Sequence, residues 1–388
     1  LMSRFEVKGW CPGALKPMLS GDGLIVRVRP HGGRLTNMHA RGIAATSERY
    51  GNGLIDLTSR ANLQIRGISE ATYSNVLADL SALGLLDAHA AIESERNIVV
   101  SPFSDDHRGQ RAMAERLEAV LARDPIGLPS KFGFAIDCGH DRHLVQSPAD
   151  IRIERSTDGA MIVRADGAEK GRSTDPENCV ALAIALAHWF RDVTRQQAQP
   201  GRMASLIARG VQLPLDLAGD AFPVRIAEPP EPGVYEAGAL VGVAFGQLTF
   251  QLLSKLAALG DGLRITPWRM VLVEGLAEMP GDEDLISNSS DALLRVVACT
   301  GAPRCPQANA PTRAIARRLA GLVPRDSLLH VSGCSKGCAH RGVAALTLVA
   351  TPDGFDFVRD GTTLSHPVQR SLPADALSST LVSLAGAS

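Results

Sequence analysis

Cys334 and Cys338, in "HVSGCSKGCAH" at 330–340, are separated by three residues, and Cys299 and Cys305, in "VVACTGAPRCPQA" at 296–308, by five. Four of the seven cysteines of a 388-residue chain thus fall in its last quarter. Clustered thiols at such spacings hold metal. Structural zinc prefers two short pairs with about two to four residues between the ligands, and the first pair here is wider than that. Four thiolates also suit an iron–sulfur cluster, whose potential is tuned by burial and by hydrogen bonds to sulfur. The neighbours favour the cluster. Gly333 and Gly337 let backbone N–H groups come close to sulfur, and Cys305–Pro306 is expected to open the helix "NAPTRAIARRLAGL". A zinc knot and four unlinked buried thiols are the alternatives.

Composition narrows the setting for these thiols. Hydrophobic residues make up 45% and charged residues 21% of the chain, ordinary values for a globular protein. A net charge of −1 argues against nucleic acid or an anionic membrane as a bulk partner. The most apolar run, "VALAIALAHWF" at 180–190, is too short to span a bilayer. "LMSRFEVKGW" scatters charge through the first residues and does not read as a signal peptide. The three other cysteines, Cys11, Cys138 and Cys179, lie far apart and give no disulfide framework, so the expected setting is a reducing cytoplasm.

The elements that must position the cysteines come twice. "GGRLTNMHARGIA" at 32–44 is echoed by "FGQLTFQLLSKLA" at 245–257, and "LIDLTSRANLQIRGI" at 54–68 by "LRITPWRMVLVEGL" at 263–276, with Gly67 opposite Gly275 and Arg60 opposite Trp268. "ERNIVVSP" at 95–102 lines up with "LLRVVACT" at 293–300, and "DGAMIVRADG" at 158–167 with "DGFDFVRDG" at 353–361. The order is the same in both halves, which implies internal duplication of one large module. Proline- and glycine-rich stretches at 194–202 and 227–238 mark a linker between the copies. Strand patterns such as "GLIVRVRP" alternate with helical ones. In "SEATYSNVLADLSALG", Tyr73, Val76, Leu77, Leu80 and Leu83 share one helical face, and Gly84 suits its C-cap. The class is α+β.

Cys-x5-Cys followed at distance by Cys-x3-Cys resembles the signature of the siroheme-dependent nitrite and sulfite reductase family. The resemblance implies a 4Fe–4S cluster on Cys299, Cys305, Cys334 and Cys338, bridged in the reductases to siroheme by the last cysteine. It also implies two halves about a pseudo-two-fold axis. The domains expected on that plan are a ferredoxin-like half-domain at 1–87, an α/β domain with cationic ligand-binding residues at 88–200 and a linker at 201–237. A second half-domain follows at 238–287 and a cluster domain at 288–388. "LTSRANLQIRG" resembles the family's Thr-Thr-Arg strand and nominates Arg60. "SERNIVVSP" resembles its Arg-Asn segment and nominates Arg96, and "LPSKFGFAI" resembles its Leu-Pro-x-Lys-Phe-Lys segment and nominates Lys131. These three, expected on separate strands, would bind the tetrapyrrole, with Lys131 and Arg96 also catalytic. Where the reductases have a second lysine, this chain has Gly133. A cage of four cations stabilises an oxyanion and delivers protons, and loss of one weakens both.

"GWCPGALKPMLSGDGLIVRVRP" at 9–30 resembles the opening of the precorrin-3B synthases, a branch of this family. That branch implies a monooxygenase of aerobic cobalamin biosynthesis with precorrin-3A as substrate, dioxygen as oxidant and an electron donor as partner. The tetrapyrrole is then substrate, standing where the reductases hold siroheme. The branch also raises a mononuclear non-haem iron. Such an iron would need two histidines and a carboxylate, for which "DCGHDRH", with Asp137, His140, Asp141 and His143, is the candidate; a polar turn with solvated histidines is the plainer reading. A siroheme nitrite or sulfite reductase and a non-catalytic iron–sulfur electron carrier remain the alternatives.

Overall fold

The computed structural model describes residues 12–103, 107–195 and 201–385. Alternating apolar residues build its first sheet. Strands β1 (Met18–Ser20) and β2 (Gly23–Val28) form a hairpin, and the short β3 (Arg34–Leu35) runs into helix α1 (Asn37–Tyr50). Strands β4 (Leu54–Leu57) and β5 (Leu63–Ile68) precede α2 (Tyr73–Ala82). Val26, Val28, Leu63 and Ile65 point into the core, where α1 adds Ala40, Ile43 and Ala44 at helical spacing. Thr36 caps α1 by accepting from the His39 amide at 3.1 Å. Gly84, at φ 68°, closes the turn after α2 as its sequence suggested.

An α/β unit follows: α3 (Ala90–Glu95), β6 (Ile98–Val100), α4 (His107–Arg123), β7 (Phe134–Asp137), β8 (Ile151–Arg155), β9 (Met161–Ala165), β10 (Arg172–Thr174), α5 (Cys179–Thr194) and α6 (Met203–Ala208). Strands β6, β7 and β8 are parallel, and β9 and β10 add antiparallel. The segment expected as a linker, 201–237, is packed instead. It opens with α6, whose Met203 and Leu206 enter the core of this unit, and Ala221, Pro223 and Ile226 bridge to Gly171, Ser156 and Arg142. Proline and glycine there shape a strap laid over the sheet rather than a flexible tether.

The plan then repeats. Strands β11 (Gly233–Tyr235), β12 (Gly238–Val243) and β13 (Gln247–Thr249), helix α7 (Phe250–Leu259), and β14 (Leu263–Ile265), β15 (Met270–Glu274) and β16 (Leu285–Ile286) form the second half-domain. Its α/β partner contains β17 (Val296–Ala298), α8 (Thr312–Leu319), β18 (Leu329–Ser332), β19 (Ala344–Thr351), β20 (Gly354–Gly361), β21 (Gln369–Leu372) and α9 (Leu377–Ala385). The β17 to β21 sheet has the order and directions of β6 to β10. The backbone carries the duplication as well. Ala61 and Arg269 hold φ of 52° and 62°, a left-handed conformation rare outside glycine, and Gly67 and Gly275 hold 74° and 73°.

The half-domains exchange strands. Strand β13 pairs with β4 of the first sheet, setting Leu248 against Ile55, while β3 pairs with β14 of the second, setting Leu35 against Leu263. Helices α1 and α7 pack together over one shared core. Among the described residues no helix is long and apolar enough to cross a membrane.

Candidate active site

The outward face of the first sheet is polar yet buried. Between Val26 and Val28, strand alternation turns Arg27 away from the core, and Arg29 follows on the same side, only 4% exposed. Gln64, across from Arg27, and Arg66 continue this face along β5, and Asp56 and Gln247 extend it across β4 and β13. Arg66 is bidentate to Asp22 and donates to Asp56 at 3.0 Å. Asp56 also accepts from Gln247 at 3.0 Å and from Arg313 of α8 at 3.1 Å. Arg29 lies 3.3 Å from Glu93, and its Nε is buried without a hydrogen-bond partner. Burial, together with the nearby charges of Arg27 and Arg96, lowers the Arg29 pKa to about 10. The Arg29 guanidinium, desolvated and set beside other guanidiniums, is left short of acceptors, which a ligand with several carboxylates supplies. Arg27 and Arg29 were not among the sequence candidates. Two arginines at alternate positions of an otherwise apolar strand were the available signal.

The cysteines sit where β17 and β18 end. Gly333 donates its amide to Cys299 Sγ at 3.2 Å, and a Cβ on Gly333 would meet Ala308 at 2.6 Å, so only glycine brings the two loops this close. Thr312 Oγ1, at the start of α8, donates to the Cys299 carbonyl at 2.7 Å. The sequence placed Cys305 at the opening of that helix; it lies instead in a turn closed by Cys305 N to Gly301 O and Ala308 N to Cys305 O, and α8 begins seven residues later. The first half-domain reaches this turn directly: Ser20 Oγ and Gly21 N both donate to the Arg304 carbonyl, at 3.0 and 2.9 Å. Burial raises the Cys334 thiol pKa, with added repulsion from Cys299 and Cys305, and Cys338 feels all three other thiols. Among the described residues, no three His, Cys, Asp or Glu side chains converge tightly enough for a single ion. A four-iron cluster takes each thiolate at a separate corner, which suits four mutually repelling thiols on two loops with an amide aimed at sulfur.

The cationic candidates are less alike than their motifs implied, and they lie in the connections before and after strands rather than on strands. Arg60 occupies the β4–β5 turn, and its guanidinium donates to the Lys131 carbonyl at 2.7 Å. Lys131 is exposed in the turn before β7. Arg96 follows α3, is 4% exposed, is bidentate to Asp87 at 2.9 and 2.8 Å, and donates to the Arg29 carbonyl at 3.0 Å. Gly133 explains the packing of Arg60: a Cβ there would lie 3.1 Å from the guanidinium and 3.0 Å from the Asn97 carbonyl. The "DCGHDRH" turn gathers no iron ligands. Asp137 accepts the Leu144 amide at 2.7 Å and the His143 amide at 2.6 Å, Asp141 is bidentate to Arg225, and His143 packs on Phe103 with centroids 4.8 Å apart. Both carboxylates are committed to structure.

Residues 16–83, which carry β1, β2, β4 and β5 of this arginine face, match the nitrite/sulfite reductase ferredoxin-like half domain. A precorrin-3B synthase from Sinorhizobium sp is 30% identical over 93% of this chain and 84% of its own length. The chain belongs to the precorrin-3B synthase branch of the nitrite/sulfite reductase family. A ferredoxin–nitrite reductase from Leptolyngbya laminosa is 25% identical over 95% of this chain and 87% of that one. The Mycobacterium tuberculosis NirA structure superposes with a TM-score of 0.71 over 94% of this chain and 80% of its own, at 17% identity, and shares the fold. Membership in this branch makes the chain an oxidoreductase and fits the duplicated α+β architecture.

Proposed function

We propose that this protein is a precorrin-3B synthase, an oxygen-dependent monooxygenase that hydroxylates precorrin-3A at a meso carbon and closes a γ-lactone. One atom of dioxygen stays in the product and the other leaves as water, with two electrons and two protons consumed. The observation that carries the reading is the contact of Arg60 with Gly133. The position that would complete a cage for a small oxyanion is closed off, while the buried arginines suited to the carboxylates of a macrocycle remain.

In this reading Arg27, Arg29 and Arg60 hold substrate carboxylates. Each charge-assisted contact contributes on the order of 1.5–3 kcal/mol. Lys131, exposed beside Arg60, completes the clamp and is the group placed to donate a proton. Arg96, locked to Asp87, acts by fixing the Arg29 backbone rather than by reaching the macrocycle. Cys299, Cys305, Cys334 and Cys338 would hold a 4Fe–4S cluster, which supplies electrons one at a time. The setting is proposed to be the cytoplasm, with a soluble electron donor as partner. No residues on the described surface gather into a ligand set for a mononuclear iron.

The test is anaerobic purification with iron, sulfide and tetrapyrrole analysis, then turnover of precorrin-3A under labelled dioxygen. One labelled oxygen atom in the product is expected. Zinc in place of iron, or bound siroheme with rapid nitrite or sulfite reduction, would overturn the proposal; the latter would put the reductase first.

A further inference from the structure

A cavity of about 910 Å³ is lined by none of the residues of the arginine face and by none of the cysteines. It is framed by Arg34 of β3, Arg108 and Arg111 of α4, Arg264 of β14 and the rings of Phe103 and Tyr235. Between β17 and α8 the chain spends thirteen residues, 299–311, on the loop that bears Cys299 and Cys305 and docks against the β1–β2 turn at Ser20 and Gly21. Between β6 and α4 it spends six, 101–106. The matching β11–β12 turn, at Tyr235 and Glu236, lies in the wall of the cavity.

Charge has been inverted in this half as well. Where β4 and β5 carry Asp56 and Arg66, the matching positions of β14 and β15 carry Arg264 and Glu274. Glu274 is shared, accepting from Arg264 at 2.7 Å and from Arg34 at 2.7 Å, so one carboxylate faces two guanidiniums. The other carboxylates of the lining, Glu236 and Asp261, are exposed. Arg108 and Arg111 stand three residues apart on one face of α4, and both line the cavity. Buried His107, also in the wall, has its pKa lowered to about 4 by burial and then by Arg264, with Arg111 and Arg34 adding. A proton there meets the same positive field that an anion would relieve.

We infer that this cavity is a second binding site, distinct from the cysteine-proximal cleft, for a small multiply charged anion bearing phosphate or carboxylate groups. Its size is that of a small-molecule site, within the range of about 300–1,000 Å³. Guanidinium forks from Arg108 and Arg111 suit either oxyanion bidentately.

The inference does not depend on the tetrapyrrole reading, and titration calorimetry of the cluster-loaded full chain tests it with two probes, inorganic pyrophosphate and citrate. Saturable binding of one probe is expected, and the tighter probe identifies phosphate or carboxylate as the preferred chemistry. Arg108→Glu should weaken it at least tenfold, and Arg111→Gln should weaken it too, with melting temperature and iron content unchanged. Arg60→Ala should leave it intact. Absence of saturable binding by either probe overturns the inference. So does binding lost in Arg60→Ala but retained in Arg108→Glu, because that places the anion in the cleft. Failure of precorrin turnover would bear on the proposed reaction alone.

Discussion

Gly133 shows how one missing side chain sets the geometry of another. Read from the motif, it is a lost lysine, and restoring one should improve anion affinity if the pocket is otherwise intact. In the fold it is the floor on which Arg60 rests, so the expectation reverses: Gly133→Lys should displace the arginine rather than add to it. Gly133→Ala should already lower tetrapyrrole affinity about tenfold, near 1.4 kcal/mol, with the cluster retained, as a binding titration would show. Asp137 makes a second residue-scale case. Burial raises its pKa to about 6 despite the Leu144 and His143 amides it accepts. Because the folded value lies above the unfolded one, its contribution is fully present below about pH 4 and is lost as pH rises through 6. Asp137→Asn should therefore gain stability relative to the parent chain between pH 4 and pH 7, by at most about 3 kcal/mol, visible in denaturant melts across that range. A flat difference would place the ionised carboxylate in a better solvated site than its burial indicates.

At the scale of elements, the cysteine loops were the most legible part of the chain, because ligand spacing is local and was written out twice within forty residues. Serine at any one of Cys299, Cys305, Cys334 or Cys338 should reduce or abolish iron and sulfide incorporation, whereas serine at Cys138 or Cys179, both buried in the core of the first α/β unit, should not. The remaining control, Cys11, lies outside the described residues. Full iron content in all four variants would remove the cluster from these loops. The repeat was legible too, since "RLT" and "QLT" each end a strand and cap a helix, with Thr249 accepting from Leu252 as Thr36 does from His39. What stayed hidden was partner choice. Nothing near Arg96 in the sequence announces Asp87 as its mate, and nothing in β3 says that it belongs to a strand more than two hundred residues away. Proline and glycine in 201–237 suggested freedom, because composition does not register that Met203 and Leu206 have a core to enter.

For the molecule as a whole, the exchange of β3 and β13 decides what can be separated. Each half-domain sheet is completed by a strand of the other, so a piece ending near residue 210 would leave β4 with an open edge. Expressed alone, either piece should aggregate. Expressed together, the two should copurify as one particle, with gel filtration and mass spectrometry showing equal amounts; two independently soluble pieces would contradict the interlocked sheets. A cut within 209–216, where Val211 and Leu213 are partly buried and the rest exposed, severs one covalent connection and no strand pairing. The clasp would then be what remains of a time before the gene doubled, when two identical shorter chains had to meet and trade strands to exist at all. Joined in one chain, that meeting is unimolecular, and the two copies are free to carry different chemistry, one its thiols and the other its share of an open, arginine-lined hollow.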